Sequence, residues 1–150
     1  MEEALNGQVL GVLGMVLCLV LCGAGSAYGL YKTGSAAAGV LAEDGKKFSK
    51  VIVLALLPAT QGIYGFVLAV MKSSSVAAIA TTQSGWQMLF ATLVLGITGM
   101  LSAIFQAKTA VACIYAVGKN SEGSGKYVLF PAMVEFYAIL ALVLGIMLNF

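Results

Sequence analysis

Between Tyr127 and Phe150 the only charged residue is Glu135. An acid at the centre of a bilayer-length apolar segment costs on the order of 2.5–3.5 kcal/mol even on lenient insertion scales, and such residues usually mark ion or proton pathways. A protonated acid packed inside a helical bundle is the structural alternative. Other oxygen-bearing side chains sit in similar surroundings. Thr60 and Gln61 adjoin in "LLPATQGIYGF", Tyr64 follows one turn on near the same helical face, and Gln106 lies in "SAIFQAKT". One carboxylate among neutral oxygens suits a small hard cation such as sodium, which prefers oxygen to sulfur or imidazole. A proton carrier needs only the carboxyl. Taken singly, Gln61 or Gln106 equally serves as a helix–helix hydrogen bond.

The elements that carry these residues follow from composition and charge gaps. Of 150 residues, 61% are hydrophobic and 9% charged, against about 25% charged in soluble domains. Mean hydropathy is +1.01. The chain therefore reads as an all-α membrane protein. No charge falls between Glu3 and Lys32, between Lys50 and Lys72, or between Lys72 and Lys108. A span needs about 20 apolar residues. Four helices are predicted at about 8–31 (continuing towards 41), 50–71, 87–118 and 127–149. The first and third exceed a bilayer, so their C-terminal ends should project into water.

Lysine placement gives the orientation. The turn 42–50, "AEDGKKFSK", and the turn 119–126, "KNSEGSGK", carry lysines; the connection 73–86 has none, and the N-terminus offers only Glu2 and Glu3. The positive-inside rule puts both turns in the cytoplasm, with the termini and the connection outside. The acidic start "MEEALNGQ" is unlike a cleaved signal peptide. The net charge of +2 comes from the turn lysines and implies no nucleic acid.

The chain repeats itself. At an offset of 76, Leu13, Gly23, Ser26, Ala27, Lys32 and Thr33 match Leu89, Gly99, Ser102, Ala103, Lys108 and Thr109. At an offset of 73, Leu56, Pro58, Ala59 and Tyr64 match Leu129, Pro131, Ala132 and Tyr137. Two duplicated helical hairpins result: residues 1–72, and residues 87–150 carrying the acid, joined by the extracytoplasmic 73–86. Such repeats rank ahead of any motif. Glu135 aligns with Gly62, so one hairpin in two holds a carboxylate.

Helix 1 carries a stripe of small residues, Gly7, Gly11, Gly14, Cys18, Cys22, Gly25 and Gly29, and helix 3 another at Gly96, Gly99, Ala103, Ala107 and Ala110. Small faces permit close helix approach, within one chain or between copies. A narrow inner wall of helices 1 and 3 is the preferred reading. The two stripes do not superpose under the repeat offset. Pro58 and Pro131 each free a carbonyl one turn earlier, either shaping the neighbouring site or only kinking the helix. Cys18, Cys22 and Cys113, without His or a CxxC motif, read as packing residues. "GSGKY" fails the phosphate-loop pattern at Tyr127, and "GAGSAYG" puts Tyr28 where a dinucleotide loop needs its third glycine.

"LPATQGIYGF", "FQAKT" and "FPAMVEFYAI" closely resemble the proteolipid, or rotor-ring, subunits of V-type ATPases, and among them the sodium-pumping bacterial branch. The resemblance covers nearly the whole chain, and the duplicated four-helix layout matches as well. It implies a sodium ion bound by Glu135, Thr60, Gln61, the Leu57 carbonyl and Gln106, with Tyr64 hydrogen-bonded to the glutamate. It implies a homo-oligomeric ring in a bacterial cell membrane and a stator subunit with a membrane arginine. The lysine-bearing turns would dock a central stalk, although solvated turns look the same. ATP hydrolysis elsewhere would turn the ring, and this subunit would have no catalytic site and no nucleotide.

Three rivals predict differently. A proton-carrying ring of the same family predicts sodium-insensitive chemistry at Glu135. A small secondary transporter would want a roomy aromatic site, whereas the only Trp, Trp86, lies at a membrane edge. In a purely structural bundle, Glu135→Gln would be silent.

Overall fold

The computed structural model describes residues 1–120, 122 and 124–148. It contains α1 (Glu2–Glu43), α2 (Phe48–Leu56), α3 (Thr60–Ser73), α4 (Thr82–Lys119) and α5 (Leu129–Met147). Short 3-10 turns lie at Gly45–Lys47, Leu57–Ala59, Val76–Ala78 and Ser124–Val128. Among the described residues there is no strand. Among the described residues, four segments are long and apolar enough to cross a membrane: Glu2–Glu43, Gly45–Ser73, Thr82–Lys119 and Ser124–Met147.

The helix ends differ from the sequence expectations for local reasons. α1 begins at Glu2 rather than near residue 8, and Glu2 and Glu3 fill its first turn, where acids complement the helix dipole. α4 begins at Thr82 rather than 87, because the Thr81 hydroxyl accepts the Ser84 N–H at 3.1 Å, an N-cap that hydrophobicity alone does not reveal. The connection between the hairpins is shorter than 73–86 accordingly. The second span is not one continuous helix: the 3-10 turn at Pro58 separates α2 from α3. α5 stops at Met147; the expected end at 149, and positions 121 and 123 of the second turn, lie outside the described residues.

α1 has 42 residues, which at about 1.5 Å per residue makes it about twice the thickness of a hydrocarbon core. Its C-terminal part stays packed. Ala36, Ala37 and Val40 join Val51, Leu54, Ile114 and Val117 in one buried cluster. At this end the first lysine-bearing turn is tied to the last turn of α4, where Lys47 Nζ donates to the Gly118 carbonyl at 2.6 Å. At the opposite end the Thr82 hydroxyl donates to the Glu3 carbonyl at 3.2 Å.

The small-residue stripes are buried against one another within the chain. A Cβ at Gly25 would lie 2.7 Å from Met100 Cα, one at Gly14 would lie 2.6 Å from Leu89 Cα, and one at Gly96 would lie 3.1 Å from Cys18 Cα. Backbone stands in the way, so a larger residue fits only if the helices shift. Of the two readings of the stripes, contact within one chain is the one realised. It also explains why they fail to superpose under the repeat. Repeat-equivalent faces look the same way, whereas two faces in contact look opposite ways.

Candidate functional site

Pro58 begins the construction of the site. Its turn brings the Thr60 N–H onto the Leu57 carbonyl, and the Thr60 hydroxyl donates to the same carbonyl at 3.0 Å. The Leu57 oxygen and the Thr60 hydroxyl are thereby fixed side by side. α3 then carries Gln61 into the interior, with no exposure, and places Tyr64 one turn further along.

α4 supplies Gln106, also fully buried, and α5 supplies Glu135 at 9% exposure. The Tyr64 phenol donates to Glu135 Oε1 at 2.5 Å, and Gln106 Nε2 donates to Glu135 Oε2 at 3.2 Å. Gln106 Nε2 also donates to the Pro131 carbonyl at 3.2 Å, so the α5 proline turn holds the same amide that holds the acid. Gln61 Nε2 donates to Gln106 Oε1 at 2.8 Å and to the Ser102 hydroxyl at 3.3 Å. Three helices from both hairpins thus converge on one carboxylate, which is met by a phenol and an amide rather than by a lysine.

One atom stands out. Among the described residues, Gln61 Oε1 is the single buried side-chain nitrogen or oxygen without a hydrogen-bond partner. An unpaired buried acceptor costs about 1–3 kcal/mol, and here it sits on the amide tied to Gln106. The cluster offers further acceptor capacity, because the Thr60 hydroxyl and the Gln106 carbonyl each retain a lone pair beyond their present bonds. A carboxylate, two amide oxygens, a hydroxyl and a peptide carbonyl are the ligand types that a hard monovalent or divalent cation takes.

All six residues singled out from sequence, Leu57, Thr60, Gln61, Tyr64, Gln106 and Glu135, fall in or beside this one cluster. The helix–helix role of the glutamines is real as well, since their mutual bond ties α3 to α4. Ser102 was missed: its hydroxyl donates to the Val134 carbonyl at 3.1 Å and accepts from Gln61. Ser26 was missed too, its hydroxyl accepting the Gly62 N–H at 2.7 Å. The signal was available, because both serines are polar residues kept at one repeat position inside apolar helices. Cys18 and Cys22 pack with Leu68, Leu95 and Ala141.

Fold and site together define a duplicated-hairpin membrane proteolipid with, among the described residues, one buried carboxylate per two hairpins. The family model for the ATP synthase C subunit matches twice, over residues 13–72 and 89–148. The chain is 39% identical over 143 residues to the V-type sodium ATPase subunit K of Enterococcus hirae, covering 95% of this chain and 92% of that one. It is likewise 39% identical over 140 residues to the A-type ATP synthase subunit K of Methanocaldococcus jannaschii, covering 93% of this chain and 61% of that protein. The chain belongs to the family of ATP synthase C subunits, the ion-translocating, non-catalytic proteolipids of ATPase rotor rings. It is an integral membrane protein.

Proposed function

We propose that this protein carries sodium ions as the rotor-ring subunit of a V-type ATPase, with the ion held by Glu135, Gln106, Gln61, Thr60 and the Leu57 carbonyl. The observation that carries the reading is the unpartnered oxygen of Gln61, in the cluster that holds Glu135, the one buried carboxylate among the described residues. A cation bound there satisfies that oxygen and neutralises Glu135 in one step. A bare proton would neutralise the acid and leave the amide oxygen orphaned. Tyr64 is a positioning residue that fixes the carboxylate from outside the ligand set. The 39% identity to a V-type sodium ATPase subunit supports the same choice.

In operation the loaded, neutral site faces lipid, and a naked carboxylate does not do so cheaply. Ion release therefore waits for a stator subunit that offers a positive charge, an arginine, to Glu135. ATP hydrolysis in a soluble part of the complex turns the ring, and each copy carries its ion between two aqueous half-paths. The lysine-bearing turns face the cytoplasm of a bacterium and dock the central stalk. Both termini and the connection between the hairpins lie outside.

Carbodiimide labelling of Glu135 in native membranes, at fixed pH with and without sodium, tests this. Protection by added sodium, lost in Gln61 and Gln106 variants, is the expected result. Labelling that responds to pH and ignores sodium would reassign the ring to protons and the glutamines to packing.

A further inference from the structure

The second span is broken where the first is continuous. α2 ends at Leu56 and α3 begins at Thr60, with the Pro58 turn between them, while α1 runs past the break as one helix. The Leu57 carbonyl and the Thr60 hydroxyl lie in that break. Their positions are therefore set by whatever holds the turn.

α1 holds it at three points. Ser26, Gly29 and Thr33 are spaced three and four residues apart and so share one helical face. Beyond the proline, the Ser26 hydroxyl accepts the Gly62 N–H at 2.7 Å. At the proline, a Cβ on Gly29 would lie 2.5 Å from Pro58 Cβ, so the ring rests where a side chain would otherwise stand. Before the proline, the fully buried Thr33 hydroxyl donates to the Ala55 carbonyl at 2.7 Å. That hydroxyl has one hydrogen. Ala55 is its nearest acceptor, ahead of the Gly29 and Leu30 carbonyls of its own helix at 3.1 and 3.4 Å.

Ala55 is short of a donor. The last four carbonyls of a helix have no partner inside it, proline brings no N–H, and Ala55 lies in the last turn of α2. The second hairpin provides the contrast. Pro131 sits in the first turn of α5, where a missing N–H removes no bond within the helix. Thr109, the repeat counterpart of Thr33, donates to the Phe105 carbonyl of its own helix at 3.2 Å. Threonine stands at both repeat positions, and the one beside the broken span reaches across to it.

We infer that Thr33 is a positioning residue of the ion site. Its hydroxyl pins the last turn of α2 to α1, and so sets where the Leu57 carbonyl and the Thr60 hydroxyl stand, without being a ligand. This rests on the sodium reading and adds to it a residue of the first span. Without the hydroxyl, the turn loses its tie before the proline and carries two neutral ligands out of place. α3 stays anchored by Ser26 at Gly62, and Glu135 stays held by Tyr64 and Gln106. Ion affinity falls while the acid itself is undisturbed.

Carbodiimide labelling of Glu135 in native membranes tests this on the full chain carrying Thr33→Val, Thr33→Ala or Thr33→Ser. Loss of an outer partner that fixes a ligand typically weakens metal binding about tenfold to a hundredfold, so half-protection in the Val and Ala variants should need at least about tenfold more sodium. Thr33→Ser, which keeps the hydroxyl, should restore the midpoint. The pH dependence of labelling without sodium, which reads Glu135 alone, should be the same in all of them. A sodium midpoint unchanged by Thr33→Val and Thr33→Ala would overturn the positioning role and leave the sodium reading standing. A pH dependence that moves together with the sodium midpoint would overturn it too, because the whole bundle would then have loosened. If only Thr33→Ser assembles, the hydroxyl is a requirement of the fold and the positioning role falls. No sodium protection in the unaltered protein would overturn the sodium reading, and this inference with it.

Discussion

The phenol of Tyr64 donates to Glu135 Oε1 across 2.5 Å, and so joins the second span to the fourth directly at the charge. With Gln106 on the other carboxylate oxygen, the acid is held at both ends in one orientation. Neither donor carries a charge. The arrangement fixes the carboxylate in place without supplying a counter-charge.

Tyr64→Phe removes one hydrogen bond to a charged group, worth about 1.5–3 kcal/mol. Sodium protection of Glu135 against carbodiimide should then need about tenfold to a hundredfold more sodium. Unchanged protection would show that the phenol has no part in holding the site.

Gln61→Met keeps most of the volume and removes the side-chain amide, both its Nε2 donor and its Oε1 acceptor. A side-chain hydrogen bond between helices in a bilayer averages about 0.6 kcal/mol, so thermal unfolding in detergent should shift little. Sodium protection should be lost. A large stability loss with sodium binding intact would instead make Gln61 a packing residue.

Glu135→Gln leaves the fold in place and abolishes sodium-22 uptake by reconstituted complex, together with carbodiimide incorporation. Uptake at the level of the unaltered protein would remove Glu135 from the ion path.

Gly25→Ala places a methyl group against the Met100 backbone, where overpacking costs about 1–3 kcal/mol. Gly39→Ala meets nothing within 4 Å and should stabilise mid-helix α1 by about 0.5–1 kcal/mol. Melting temperatures in detergent should move in opposite directions. A neutral Gly25→Ala would mean that α1 and α4 separate more easily than their contact implies.

Much of the fold was legible because bilayer-length apolar runs leave few alternatives to helices, and because the second hairpin repeats the pattern of the first. The acid was legible for the same reason: a charge in the middle of Leu129–Met147 has no cheap structural excuse. What periodicity missed was local. The start of α4 depends on the Thr81 cap, and the break between α2 and α3 depends on a turn around Pro58. Ser26 and Ser102 looked like ordinary small residues until their partners were visible.

By itself, the sequence determined four apolar spans, a duplication and one mid-membrane carboxylate, because hydrophobicity and spacing are properties of the chain. Only the tertiary structure decided which way each stripe of small residues faced and which donors reached Glu135. It alone showed that Gln61 keeps one oxygen unpaired. Those facts depend on the rotation of each helix about its own axis, and that is set by contacts between residues far apart in sequence.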